Sequence, residues 1–265
     1  MSRNLQPRSL AAWARYAWRW IACACSALLC LHATETATAS ADEANRFALL
    51  IFSKTAGYRH ESIPAGIAAI RSLGVQHRIA VDASEASSLF TDEGLAKYRV
   101  VVFLNTTGDV LDATQQAAFE RFIRRGGGFV GVHSATDTEY DWPWYGNLVG
   151  AYFRSHPLIQ PATLQVVDTS HPSTRHLPAQ WTRTDEWYNF RKAPGADVGV
   201  LMRIDESSYS GGNMGEDHPV AWCHAYDGGR AWYTALGHTI ESYSDPVFVE
   251  HLWGGIAWAA AMPDQ

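Results

Sequence analysis

The amino-acid sequence predicts an α/β fold in which helices cover both faces of a doubly wound, mostly parallel sheet, giving three layers. Three apolar segments of strand length carry this prediction, at residues 46–52, 100–104 and 129–132. Each is hydrophobic almost throughout, as expected for parallel strands that are buried on both faces. Helical patterns separate the segments, and such alternation is typical of a parallel sheet with crossover helices.

The first helix is expected to begin near Ser62, a suitable N-cap residue, and to contain Pro64 in its first turn. Gly74 is expected to end this helix, and residues 76–81 are expected to form the second strand. Four apolar residues share one face of the helix: Ile63, Ile67, Ile70 and Leu73.

The next helix is predicted by a capping box, since Asp112 and Gln115 have the required spacing. It should extend to about residue 125, where three consecutive glycines stop it. Beyond residue 150 the pattern changes to strands, several of which alternate, and a final helix is expected at residues 245–261. The strands are predicted at residues 162–167, 198–204, 220–226 and 230–236, with a hairpin turn over residues 226–230.

The chain is expected to comprise a signal peptide with a short linker, residues 1–41, and one domain, residues 42–265. Four arginines accompany a short apolar segment at residues 20–31, and Ala-x-Ala cleavage sites follow at residues 37–41. The apolar segment is too short for a comfortable membrane span. We therefore expect a periplasmic or secreted protein with no stable membrane span after cleavage. A leader that stays uncut as an anchor is the alternative.

Composition argues against an internal disulfide bond and against binding to nucleic acid. Three of the four cysteines lie in the leader, so only Cys223 remains, and no internal disulfide is expected. The alternating apolar residues around Cys223 predict a buried side chain. Removal of residues 1–41, which contain four arginines and one glutamate, changes the net charge from −6 to −9. This charge, with no basic cluster, argues against a nucleic-acid partner.

Polar loops follow several predicted strands, and open parallel sheets place their sites at these carboxyl ends. Such loops lie at residues 53–61, 105–109, 131–137 and 236–238. Small residues after Asn105 are suited to exposing backbone N–H groups to an anion or a carbonyl oxygen. At residues 131–135, glycine and alanine flank His133 in the layout of a nucleophile elbow. A histidine there would act as a base, an acid or a metal ligand. The alternative is a structural histidine whose hydrogen bonds are all made within the turn.

These motifs together resemble the ThuA-like (trehalose utilisation) family. The resemblance runs from about residue 47 to residue 260 and includes TAGYRHE at 55–61, GGGFVGVHSATDT at 126–138 and DEWY at 185–188. It ends with HPVAWCH at 218–224 and GRAWYTALGH at 229–238. The resemblance implies a flavodoxin-like, class I glutamine-amidotransferase-like sheet. It also implies a role in the catabolism of trehalose and related disaccharides, through 3-keto sugar intermediates.

In amidotransferases the elbow residue is a cysteine, whereas His133 occupies that position here. Thiolate acyl transfer on glutamine is therefore not expected. We expect either an enzyme that acts on a disaccharide, a glycoside or a 3-keto sugar, by acid–base or metal-assisted hydrolysis or elimination, or a non-catalytic carbohydrate-binding module. A catalytic site should contain titratable groups with displaced pKa values, and a binding module should present an open aromatic shelf.

The residues predicted to carry the chemistry fall into two sets. The catalytic candidates, which are also the candidate ligands of a divalent metal such as zinc, are His133, His60, Glu186 and His238. Glu186 is also a candidate general acid, because its aromatic neighbours would raise its pKa. The candidates for binding a small carbohydrate are Tyr58, Asn105, Asp137, Trp142, His156, Trp187 and His218. Trp142 either stacks on a sugar or only packs a helix onto the sheet.

Overall fold

A computed structural model describes residues 47–263, and the predicted leader lies outside them. The strands, numbered in chain order, are β1 Ala48–Phe52, β2 Ala80–Ser84, β3 Tyr98–Leu104, β4 Gly128–Val132, β5 Phe153–Ser155, β6 Gln160–Val166, β7 Gln180–Asp185, β8 Asn189–Phe190, β9 Gly199–Ile204, β10 Pro219–Tyr226 and β11 Gly229–Thr234. The helices are α1 Ile63–His77, α2 Asp92–Leu95, α3 Ala113–Arg124, α4 Pro143–Val149 and α5 Pro246–Ala259.

Nine of these strands form one sheet in the order β2-β1-β3-β4-β11-β10-β9-β6-β7. The first five in this order run parallel, and they include all three apolar segments on which the prediction rests. Helices α1 and α5 pack together beside the sheet, and α5 contacts β4 and β11. On the other face, rings from α3 and α4 pack on the side chains of β3 and β4. The predicted three-layer α/β class is confirmed.

The register of the parallel strands decides which loops meet. Leu104 of β3 pairs with Val132 of β4, and Val132 pairs with Thr234 of β11. The residues that follow these three strands therefore emerge side by side at one edge of the sheet. Strands β10, β9, β6 and β7 are each antiparallel to the next, so β7 points in the same direction as β11. The segment after β7 consequently emerges at the same edge.

Two predicted elements need correction. Helix α1 does not end at Gly74 but continues to His77, and Arg78 caps it in a left-handed conformation with φ of 58°. Gly74 is instead buried where a Cβ would press against Val81 of the next strand. Strand β2 consequently begins at Ala80, several residues later than predicted. The predicted capping box of Asp112 and Gln115 is confirmed, with both reciprocal hydrogen bonds present.

Strand β7 was not predicted at all, because its inward side chains are not uniformly apolar. Trp181 and Asp185 are buried, and the Arg183 side chain between them is only 7 % exposed. A search for alternating apolar residues predicts that Arg and Asp face solvent. The alternation of buried and exposed residues in β7 therefore cannot be recognised from hydrophobicity.

The hairpin between β10 and β11 is confirmed, with Asp227 and Gly228 both at positive φ, as a two-residue turn of this type requires. Between residues 47 and 263, none of the helices is long and apolar enough to cross a bilayer.

Candidate functional site

Four side chains that are distant in sequence converge at the carboxyl edge of the sheet. His60, His133, Glu186 and His238 each offer one nitrogen or oxygen atom, and these atoms all lie within 4.8 Å of one another. The centroids of the three imidazole rings are 4.9–5.0 Å apart. His60, His133 and Glu186 are buried, and His238 is partly exposed. We call these four residues the cluster.

The elbow turn holds His133 in a fixed orientation. Its backbone has φ of 49°, a conformation that few side chains adopt, and the carbonyl of this strained turn accepts the Tyr233 hydroxyl at 2.7 Å. A Cβ on Gly131 would lie 3.2 Å from that of Ala135, so the positions on either side of the elbow must stay small. The imidazole Nδ1 lies 2.8 Å from the carbonyl oxygen of Ala235. Because a carbonyl only accepts, Nδ1 donates to Ala235, and Nε2 is the ring nitrogen that faces the cluster.

The His133 ring is not exposed at the floor of an open pocket, as the elbow layout suggests. It is fully buried and packs on Tyr188, with ring centroids 4.2 Å apart. Tyr188 was not singled out as a site residue, although the DEWY motif in the sequence contains it.

His60 reaches the cluster from the loop after β1. Thr107 holds this loop, because its carbonyl oxygen accepts the Ala56 N–H at 2.7 Å and its hydroxyl donates to the carbonyl of Tyr58 at 2.8 Å. Ser134 Oγ lies 3.4 Å from His60 Nδ1. Burial, together with the neighbouring imidazoles of the cluster, lowers the pKa of His60 to about 2, so the ring is neutral at physiological pH.

Glu186 is the anionic member of the cluster. Its Oε2 lies 3.1 Å from His238 Nδ1 and 3.4 Å from His133 Nε2, and its Oε1 lies 3.0 Å from Nδ1 of His156. Burial raises the pKa of Glu186, but hydrogen bonds with His133 and His238 outweigh burial and hold this pKa well below its usual range. Glu186 is therefore ionised, and the expectation that aromatic neighbours raise its pKa is wrong.

His238 shows the complementary shift. Burial lowers the pKa of its imidazole, but the hydrogen bond and charge of Glu186 outweigh burial and raise this pKa above its ordinary value. Glu186 and His238 thus form a pair in which each stabilises the charged form of the other.

One buried carboxylate links the segments that carry Glu186 and His238. Asp185 Oδ1 accepts the backbone N–H groups of Glu186 and His238 at 3.0 and 3.1 Å, and Oδ2 accepts the Gly237 N–H at 3.0 Å. Oδ2 also accepts the Ser242 hydroxyl at 3.2 Å and lies 3.4 Å from the Arg183 guanidinium. Asp185 therefore positions two cluster residues without contributing a ligand atom itself. This positioning role was not predicted from the sequence.

Three of the seven predicted sugar-binding residues lie beside the cluster. The ring of Tyr58 is perpendicular to that of His60 at 4.9 Å and is 63 % exposed. His156 contacts Glu186 and is also exposed. Asp137 is half-buried, which raises its pKa, and it interacts electrostatically with His133 and His156. Its Oδ1 accepts the Tyr140 hydroxyl at 2.6 Å.

The other four predicted sugar-binding residues have structural roles. Asn105 is fully buried and donates to Ser62 Oγ and the Gly237 carbonyl, so it joins loops. Trp142 packs on Phe119 and Trp144 and donates to Glu120, which supports the alternative that it packs a helix. Trp187 is fully buried and donates to the Gln160 carbonyl. His218 is fully buried and pairs with Glu206 at 2.8 Å, outside the cluster.

The cluster has the donor set of a divalent metal site. Three imidazole nitrogens and one carboxylate oxygen suit zinc, manganese or iron. The hydrogen bond from His133 Nδ1 to Ala235 is the kind of outer contact that orients a metal-binding histidine. The ionised Glu186 and neutral His60 are in the protonation states that ligands require. The residues present therefore fit a metal ion.

Cys223 has none of the features of a nucleophile. It lies in β10, is buried, and burial raises the pKa of its thiol to about 12. The predicted burial of this side chain is confirmed.

Comparisons with known proteins agree with this architecture. A family model described as ThuA, trehalose utilisation, matches residues 48–259. A protein described as ThuA-like from Bacteroides uniformis has a TM-score of 0.70 at 26% identity, covering 81% of this chain and 91% of that one. Another, from Parabacteroides merdae, has a TM-score of 0.69 at 20% identity, covering 83% and 92%. A β-galactosidase from Bacillus circulans sp. alkalophilus shares the fold alone, with a TM-score of 0.55 at 14% identity over 82% of this chain and 31% of that one. No curated protein matches the sequence of the chain.

Proposed function

Because the chain belongs to the ThuA family, whose description is trehalose utilisation, we propose that it is an exported enzyme of carbohydrate catabolism with a divalent metal in the cluster. Its substrate is a disaccharide, a glycoside or a 3-keto derivative of one, and the reaction is hydrolysis or elimination. The observation that carries this proposal is the convergence of His60, His133, Glu186 and His238 within 4.8 Å.

The chain's own residues have distinct parts in this proposal. His133 and His60 each present one imidazole nitrogen, and Glu186 supplies the negative charge that offsets a divalent cation. A metal ion bound there would polarise a sugar oxygen or a water molecule. Asp137 has one oxygen occupied by Tyr140, which leaves Oδ2 to accept a hydroxyl group of the sugar. The exposed ring of Tyr58 lies against His60 and can cover the part of the substrate that is bound beside the cluster.

The alternative of a non-catalytic carbohydrate-binding module has less support. Such a module would present an open aromatic shelf, yet Trp142 and Trp187 are buried. The pKa values of His60, Glu186 and His238 are displaced by burial and by one another, which is typical of catalytic sites.

Elemental analysis of the purified chain, followed by a substrate screen, tests the proposal. We expect about one metal ion per chain and turnover of trehalose, a glucoside or its 3-keto form. His133→Ala should abolish both metal binding and turnover. The matched control is His218→Ala, which removes a fully buried histidine outside the cluster. A wild-type chain that binds no metal and turns over none of these sugars contradicts the proposal, as does equal metal loss in both variants.

Export is a separate part of the proposal, and it rests on the basic and apolar leader with its Ala-x-Ala sites. We expect the mature chain to begin between about residues 38 and 45. N-terminal sequencing of the protein from the periplasmic fraction and the medium measures this. An intact Met1 on protein from the cytoplasm contradicts export.

A further inference from the structure

Most of the large exposed apolar side chains of the described domain lie on loops that also carry His60, His156 or His238. Between residues 47 and 263, six large hydrophobic residues are exposed: Tyr58, Val75, Leu158, Ile159, Val167 and Ile240. Single exposed hydrophobic residues need no explanation, but several at one place indicate a binding surface. Four of the six lie on the three loops that bring His60, His156 and His238 to the site.

The chain itself fixes how near these four residues are to the cluster. Tyr58 and Ile240 are each two positions from a cluster histidine, and Leu158 is two positions from His156, which contacts Glu186. Residues two positions apart have Cα atoms within about 7 Å of each other. Tyr58, Leu158 and Ile240 therefore lie close to the cluster or to His156, and Ile159 directly follows Leu158. We call these four residues the apolar rim.

The apolar character of the rim determines which chemical groups bind to it favourably. The second sugar ring of a disaccharide carries hydroxyl groups that need partners when they leave water. The side chains of Leu158, Ile159 and Ile240 supply no donor or acceptor. They are 86 %, 46 % and 48 % exposed, so an apolar group that covers them removes hydrophobic surface from water. A ring with no hydroxyl groups matches this surface better than a sugar does.

We propose that the apolar rim binds the aglycone of a glycoside whose sugar occupies the cluster, so that glycosides with an aromatic or alkyl aglycone are preferred over disaccharides. This inference rests on the proposed function, because the sugar must enter the metal site for its aglycone to reach the rim. The polar cluster orients the sugar, and the rim contributes affinity for the group attached to it.

The experiment compares two ligands that differ only in the aglycone. Phenyl and methyl 1-thio-α-D-glucopyranoside resist hydrolysis, and calorimetric titration of the metal-loaded full chain gives the Kd of each. The phenyl compound should bind about tenfold more tightly, which is the factor expected from burial of roughly 55 Å² of apolar surface. Trehalose should bind more weakly than the phenyl compound.

The chain provides a matched control for the rim. Leu158→Ser with Ile240→Ser removes rim side chains that are 86 % and 48 % exposed. Val75→Ser with Val167→Ser removes remote side chains that are 82 % and 47 % exposed. Since all four are exposed, both double variants should remain folded. The rim variant should bind the phenyl and methyl compounds about equally, and the control should keep the tenfold preference.

Three results would overturn the inference. If the wild type binds the two thioglycosides equally, the rim does not bind the aglycone, while the proposed sugar site is unaffected. No binding of either thioglycoside or of trehalose overturns both. A wild type that sediments as a dimer, becomes a monomer only in the rim variant and shows no phenyl preference assigns the rim to a contact between two copies of the chain.

Discussion

Replacement of Asp185 by Asn tests whether a residue outside the ligand set governs the cluster. The side chain is fully buried, and its two oxygens receive five donors between them. Asparagine keeps the shape but converts one oxygen into an NH₂ group, which cannot accept a hydrogen bond. Whichever orientation the amide adopts, at least two buried donors lose their acceptor.

The cost follows from these lost hydrogen bonds. An unsatisfied buried donor costs about 1–3 kcal/mol, so two such donors lower the free energy of unfolding by about 2–6 kcal/mol. Urea unfolding measures this loss. The control is Asp217→Asn, whose carboxylate accepts from Arg203 at 2.6 Å but is 70 % exposed. An exposed ion pair of this kind should change stability by less than about 1 kcal/mol.

Measurement of metal affinity distinguishes a positioning role of Asp185 from a purely structural role. If Asp185 holds the backbone of Glu186 and His238 in place, the folded Asp185→Asn protein should bind metal about 10–100-fold more weakly than the wild type. A purely structural role would lower the unfolding free energy and leave the affinity of the folded protein unchanged. An unfolding free energy within about 1 kcal/mol of the wild type would refute the estimate of its cost.

Two further predictions concern residues outside the cluster. Burial lowers the pKa of His251 from 6.5 to about 3, so below pH 6.5 the unfolded chain binds a proton that the folded chain does not. Stability should therefore fall as the pH falls from 6.5 toward 3, with a contribution from His251 of up to about 1.4 kcal/mol per pH unit. His251→Gln should remove this part of the slope in urea unfolding, and an unchanged slope would contradict the assignment. Cys223→Ser should lower stability by about 1 kcal/mol, because it buries a hydroxyl group, and should leave metal binding and turnover unchanged. A loss of turnover by orders of magnitude in the folded variant would show that the thiol takes part in the reaction.

The parallel half of the fold could be predicted from the sequence because its signals are local. Residues 100–104 and 129–132 are apolar throughout, and they form the last five residues of β3 and nearly all of β4. His133 was found for the same reason, since an elbow needs small residues at fixed offsets from the lifted side chain. Once the strands are parallel, the sheet rule brings the loops after them to one edge.

Site residues are harder to predict from the sequence wherever polar groups are buried together. Trp187 and His218 were expected at the site because aromatic and imidazole groups bind sugars, but each is satisfied internally by Gln160 or Glu206. Whether a polar side chain faces a ligand or another side chain depends on tertiary contacts. The role of Asp185 was missed for the same reason, because its partners lie some fifty positions later in the chain.

The peptide that carries His238 is held from both sides before any ligand binds. Its N–H groups at Gly237 and His238 donate to Asp185. The Gly237 carbonyl accepts from Tyr243 at 3.0 Å and from Asn105 at 3.1 Å. Gly237 has φ of 107°, which residues with a side chain rarely adopt, so this doubly anchored turn requires glycine. The imidazole of His238 is therefore preorganised by side chains from the end of β7, the loop after β3 and the 3₁₀ turn Glu241–Ser244 that precedes α5. Such preorganisation is what a site needs when small displacements of a ligand atom weaken binding.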